Sequence, residues 1–209
     1  MEAKNTKERI VEKALELFAQ QGYEAVSVAQ IAQGVGIKAP SLYKHYRSKQ
    51  DIFDAIIDEM AVRYDTQMKN MMLDGSDPKK DIQAYQNIDV DTLVYMGKNL
   101  FLFFLQDKVL SQFRKLLTIE QYHNEHLATL YREQYFDSPL QYQSMLFAML
   151  IQQGGMRECD PHVMAMHFYA PMYFLLMRCD ETTYKEEEVM QKVEEHIRQF
   201  HMLYTVEKE

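Results

Sequence analysis

Ile52, Ile56, Met60, Tyr64 and Met68 stand four residues apart without a break. Only an α-helix turns such a series to one side. The same periodicity recurs at Ile10, Ala14, Leu17 and Phe18, and again at Val189, Val193, Ile197, Phe200 and Tyr204. No stretch alternates apolar and polar residues with the period of a strand, and only 7 Gly and 5 Pro interrupt 209 residues. The chain is therefore expected to be all-α.

Caps and breakers divide it. Asn5 or Thr6 opens a first helix that stops at Gly22. Ser27 begins a Ser-x-x-Gln capping box for a short second helix, and Gly34 and Gly36 permit a sharp turn. Pro40 suits the first turn of a third helix running through Tyr46. Ser48, with Asp51 three residues on, caps a fourth helix over about residues 48–72. "DGSDP" (74–78) is the clearest break. Further helices are expected at 79–87, 90–105, 108–136, 138–154, 161–178 and 185–204, two of them opened by Ser138-Pro139 and Asp160-Pro161.

Charge is unevenly spread. The whole chain carries −8, yet residues 1–50 sum to +3 and residues 51–209 to −11. Between residues 25 and 50 there is no Asp or Glu, while Lys38, Lys44, Arg47, Lys49, His45 and two tyrosines fall inside. A basic end on an acidic body points to a polyanionic partner for that end. The start "MEAKNTKERI" lacks the apolar region of a secretory signal, and the longest apolar stretch (163–177) is too short to span a bilayer. Cys159 and Cys179 follow no disulfide or zinc spacing. A cytoplasmic protein with no membrane partner is expected.

Two short helices joined by a glycine turn and braced by a third helix make a helix-turn-helix unit, whose second helix enters the DNA major groove. A carboxylate on that face would oppose a polyanion with one charge per ~1.7 Å. The run "GYEAVSVAQIAQGVGIKAPSLYKHYRSKQDIF" resembles the DNA-binding signature of the TetR family of bacterial transcriptional regulators. It shares Gly22-Tyr23, Ser27, Ile31-Ala32, Gly36, Leu42-Tyr43, His45-Tyr46 and Ser48-Lys49, and with the first helix covers roughly residues 5–57. Lys38 stands where the family often has Ser, and Gly34 and Val35 where it often has Ala.

The resemblance implies a DNA-binding domain at residues 1–50 and an effector-binding and dimerisation domain at residues 51–209, joined by the fourth helix. Ser27 and Lys49 are the implied phosphate grips, and Tyr43 and His45 are donors to backbone oxygens. Lys38, Ala39, Pro40, Ser41 and Lys44 are placed toward base edges, while Leu42 and Tyr46 pack inward. The partners implied are palindromic double-stranded operator DNA, a second copy of the chain, and a small apolar or aromatic effector that releases a repressor.

In the body, "LFLFFL" (100–105) requires burial on several sides. The helices at 138–154 and 161–178 are the expected dimer elements, with Leu150 and Leu175 at the interface. Tyr64, Met68, Met96, Phe104, Phe113 and Tyr122 are candidates for a flexible effector pocket. His123, Tyr142, Met145, Met149, Phe168 and Met172 complete the set.

Catalytic readings have less to stand on. Glu120, His123 and His126 could share a helix face, and Cys159, His162 and His167 form a looser group. No HExxH, GxSxG or glycine-rich phosphate loop occurs, so no cofactor, metal or enzymatic activity is expected. The competing reading is a helical interaction module whose basic strip binds an acidic protein.

Overall fold

The computed structural model describes residues 5–86 and 88–206. Apart from one isolated bridge between Met156 and Thr205, the regular structure of the described residues is helical. α1 (Thr6–Gln21) is opened by a reciprocal capping box between Asn5 and Glu8. α2 (Val28–Val35) and α3 (Ala39–Leu42) follow, then the long α4 (Lys49–Asn70). Regular α3 ends four residues short of the expected Tyr46. The chain winds on as a tighter turn in which His45 N–H reaches the Leu42 carbonyl at 2.8 Å. It must leave the helix by Arg47, whose N–H, with the Ser48 hydroxyl, donates to Asp51 and so builds the start of α4.

α4 ends in a left-handed residue, Met72 at φ 57°, with Leu73 N–H bonded back to the Met68 carbonyl. Then come α5 (Pro78–Tyr85), α6 (Val90–Gln106), α7 (Lys108–Glu120) and α8 (Glu125–Arg132). The single helix expected at 108–136 is therefore broken. Asn124 accepts Leu127 N–H at 3.1 Å, capping a new helix, and a π-helical turn at Glu133–Asp137 follows α8. α9 (Ser138–Gln152), α10 (Pro161–Glu181, with Pro171 inside) and α11 (Glu186–Tyr204) complete the chain.

These helices form two compact units. One contains the residues up to Tyr64 together with Asp107–Tyr131; the other contains Asp65–Gln106 and the residues from Arg132 onward. The division differs from a cut at residue 50 for a packing reason. α1 buries Ile10, Val11, Ala14, Leu15 and Phe18, a stripe too broad for α2 alone, and α7 packs on it with Phe113, Leu116 and Leu117 buried. Early α4 joins the same core through Ile52, Phe53 and Ile56.

The second unit holds two apolar clusters. One joins Ile82, Leu146, Phe147, Leu150, Met164, Ala165 and Phe200 from α5, α9, α10 and α11. The other joins Val94, Phe101, Leu105, Leu176, Met190, Val193 and Ile197 from α6, α10 and α11. Phe168 packs against both. α6 lies so near α11 that a Cβ on Gly97 would come within 2.5 Å of Ile197 Cδ1. No described helix is long and apolar enough to cross a membrane.

Candidate nucleic-acid interface

The turn between α2 and α3 is built on Gly36, which is left-handed at φ 78° and caps α2. Ile37 N–H returns to the Ala32 carbonyl at 3.0 Å, and the Arg9 guanidinium donates to the Val35 carbonyl at 2.6 Å. Both bonds satisfy carbonyls that the end of α2 would leave open. Ile31 and Leu42 are fully buried and Tyr46 nearly so, as their apolar spacing requires. What remains outside is Lys38, Pro40, Tyr43, Lys44 and His45, with Ala39 and Ser41 half-buried beside them. Gln33 and Arg47 are exposed too, and sequence reasoning singled out neither for a contact. Arg47 lay in the acid-free window, and Gln33 sits one turn past the exposed Gln30 on α2.

Two of the expected contacts have other partners here. The Ser27 hydroxyl accepts Gln30 N–H at 3.3 Å and donates to the Gln30 side-chain oxygen at 2.8 Å, closing the capping box. Lys49 is turned to the loop after α1. Its ammonium donates to the Tyr23 carbonyl at 2.9 Å, lies 4.3 Å from the centre of the Tyr23 ring, and stands 3.8 Å from the Glu24 carboxylate. A desolvated ammonium gains from a ring face and a carbonyl together. Tyr23 also packs against Phe18 and Phe53, at 5.1 and 5.3 Å between centroids. Burial pushes its phenol pKa up, with Glu24 and Asp54 adding to the shift.

The proposed effector residues scatter. Phe113 belongs to the core of the first unit, 6.2 Å from Phe53, and Tyr64 is half-buried at that unit's edge. Tyr122 is 82% exposed, and His123 beside it is exposed in the turn after α7. Met145 faces outward from α9. In the second unit, Met68 is buried and Met96 half-buried, while Tyr142 and Met149 pack on the first cluster and Phe104 and Met172 on the other. Phe168 touches both clusters, and its carbonyl accepts a bond from His196 Nε2 at 2.8 Å. Leu150 is buried in one cluster, and Leu175, only partly buried, packs on the other. The most exposed large apolar residues of α9 and α10 are Met145, Val163, Met166 and Phe174.

The histidines do not gather. α7 ends at Glu120, so that side chain points inward while His123 and His126 are exposed beyond it. His162 bonds Ser144, and His167 bonds the Tyr204 hydroxyl. Among the described residues no group of three or more His, Cys, Asp or Glu is placed to hold a metal ion.

A short glycine-hinged helix pair with a cationic, acid-free outer face, carried on an otherwise acidic helical chain, defines a helix-turn-helix protein. Residues 10–56 match the tetR family of bacterial regulatory proteins. The transcriptional repressor ComR of Escherichia coli is 41% identical over 54 residues, and the regulator AcrR of Shigella flexneri 38% over 55, each match covering 26% of either chain. The matched segment thus spans about a quarter of those relatives' length. Over nearly the whole chain the fold matches a TetR-family regulator from Pseudomonas syringae, with TM-score 0.66, 15% identity, and 99% and 100% of the two chains covered. It also matches AibR, solved with isovaleryl coenzyme A and operator DNA, with TM-score 0.57, 18% identity, and 95% and 98% covered. By sequence the similarity to the tetR family thus lies in residues 10–56, and over the rest of the chain it is a similarity of fold.

Proposed function

We propose that this chain is a cytoplasmic transcriptional repressor that binds palindromic operator DNA as a dimer and is released by a small apolar or aromatic effector. The observation that carries the reading is the outer face of the α2–α3 turn. Lys38, Pro40, Tyr43, Lys44 and His45 stand exposed on it while Leu42 and Tyr46 are held inside. Cations on such a face meet phosphates, and the short side chains of Ala39, Pro40 and Ser41 allow the backbone close to base edges. Ser27 supports a phosphate contact through the start of α2, once its hydroxyl exchanges Gln30 for the DNA.

Dimerisation is supported by the stripe of Val163, Met166 and Phe174 on α10, apolar and open to solvent in the single chain. The effector reading rests on the aromatic and thioether side chains of the second unit, with Phe104, Met149, Phe168 and Met172 only half-buried around its clusters. α4 runs unbroken from Lys49 to Asn70.

Selection of duplexes from sheared source-genome DNA tests the reading. One preferred pseudo-palindrome is expected, with half-sites about one helical turn or a multiple apart and affinity falling steeply with salt. Absence of any salt-sensitive duplex binding, with capture of an acidic protein instead, would replace it.

A further inference from the structure

The loop between α1 and α2 is gripped from two sides at one residue. Glu120, the last residue of α7, is 4% exposed, and its Oε1 accepts the Tyr23 N–H at 2.7 Å. The same oxygen fills the notch at Gly22, where an added Cβ would lie 2.7 Å from it. On the other side of the residue, the Lys49 ammonium takes the Tyr23 carbonyl at 2.9 Å and covers its ring. The Tyr23 hydroxyl reaches Gln50 at 3.2 Å. Thus one residue has its N–H tied to α7, and its carbonyl, ring and hydroxyl tied to the first turn of α4.

We propose that Glu120 is a positioning residue for DNA recognition, setting the geometry of the helix-turn-helix through Tyr23, with Lys49 as the opposite jaw of the clamp. This rests on the DNA-binding reading above. Tyr23 lies four residues before the α2 cap Ser27, and Lys49 begins α4 immediately after the turn that follows α3. The clamp therefore fixes the chain at both ends of the α2–α3 pair. A buried carboxylate holds an amide by a charge-assisted bond, stronger and more directional than a neutral one. Burying it without that partner would be costly, so Glu120 and the loop hold each other in place. Lys49, on this assignment, acts on the protein and not on phosphate.

The distinction is measurable in the full-length chain, using a duplex selected by the wild type from a random pool and an unrelated duplex of equal length. Glu120→Met keeps the volume and loses the acceptor; Glu120→Gln restores an acceptor oxygen. Glu120→Met is expected to lose about tenfold in affinity for the selected duplex and little for the unrelated one, with faster hydrogen exchange at the Tyr23 amide. Glu120→Gln is expected to recover most of both. Lys49→Met is expected to lose selectivity likewise but to keep the wild-type salt slope, whereas loss of a phosphate contact flattens that slope by about 0.9. If Glu120→Met does not fold, Lys49→Met carries the test. Wild-type selectivity in a folded Glu120→Met, no rescue by Glu120→Gln, or a flattened slope for Lys49→Met overturns the assignment. A wild type that selects no duplex from the pool overturns the DNA-binding reading beneath it.

Discussion

The Tyr142 hydroxyl donates to the buried Asp81 carboxylate at 2.7 Å. Asp81 also accepts the backbone N–H groups of Asp74 and Gly75, at 2.6 and 2.8 Å, so α9, α5 and the loop before α5 meet on one side chain. Tyr142 thus has a structural bond where the sequence suggested an effector contact. Tyr142→Phe should cost about 1.5–3 kcal/mol, the scale of one hydrogen bond to a charged acceptor. Asp81→Ala should cost more, since it strands two amides as well as a hydroxyl. Denaturant titration gives both values. Hydrogen exchange at Asp74 and Gly75 should quicken strongly in Asp81→Ala and only slightly in Tyr142→Phe.

The same loop should add to the acid sensitivity of the chain. Bonds from Lys80 and Ser76 hold the Asp74 carboxyl well below the ordinary aspartate range. A bond from Lys98, followed by one from Arg198, lowers Glu194. A carboxylate whose folded pKa is depressed contributes stability that is complete above its unfolded pKa and is lost as the pH falls toward the folded value. The unfolding midpoint should therefore be flat near neutrality and decline once the pH drops below the ordinary carboxylate range. Asp74→Asn should flatten part of that decline. An unchanged profile in the variant would remove Asp74 from this account.

Gly22 and Gly36 both hold positive φ, at 85° and 78°, but with different surroundings. A Cβ at Gly36 meets nothing within 4 Å, so Gly36→Ala should cost about 1 kcal/mol, the left-handed penalty alone. Gly22 has ψ 156°, a conformation reserved almost wholly for glycine, and its Cβ would strike Glu120. Gly22→Ala should cost about 1–3 kcal/mol from backbone strain alone, with the collision adding to it. Thermal unfolding of the two variants side by side checks the order.

Local signals were the most readable part of this chain. The helix start at Asn5 or Thr6, the capping box at Ser27, the cap at Ser48, the glycine turn at Gly36 and the inward Leu42 and Tyr46 follow from bonds and spacings within a few residues. What the sequence hid was long-range. Glu120 reads as a metal candidate at helical spacing from His123, yet it closes on Tyr23 ninety-seven residues away in the chain. Lys49 reads as a free cation at a helix start, but a ring and a carbonyl from the loop after α1 take it up. Phe113 and Tyr122 look equivalent as body aromatics; one lies in the core with α1 and α4, the other in the exposed turn between α7 and α8. Periodicity says that a residue has an inner face, and the tertiary fold decides what that face meets.

The dimer reading separates two residues on neighbouring helices that composition alone treats alike. Leu150 is 8% exposed within one cluster of the second unit, whereas Phe174 is 60% exposed with the Arg178 guanidinium 5.8 Å from its ring centre. Leu150→Glu puts an unpaired charge among apolar side chains and should unfold that unit whatever the assembly state. Phe174→Glu places a charge in solvent in the single chain, so its cost to a monomer should stay within about 0.5 kcal/mol. In a dimer built on the α10 stripe, two such charges would face each other across the two-fold axis without water. Sedimentation at micromolar concentration should show the wild type as a dimer and Phe174→Glu as a folded monomer, with affinity for the selected duplex reduced in step. Met166→Glu should behave in the same way, since it projects from the same stripe. If both variants remain dimeric, the stripe is not the interface. If the wild type itself is monomeric while holding a palindrome tightly, pairing of half-sites by a stable dimer is wrong.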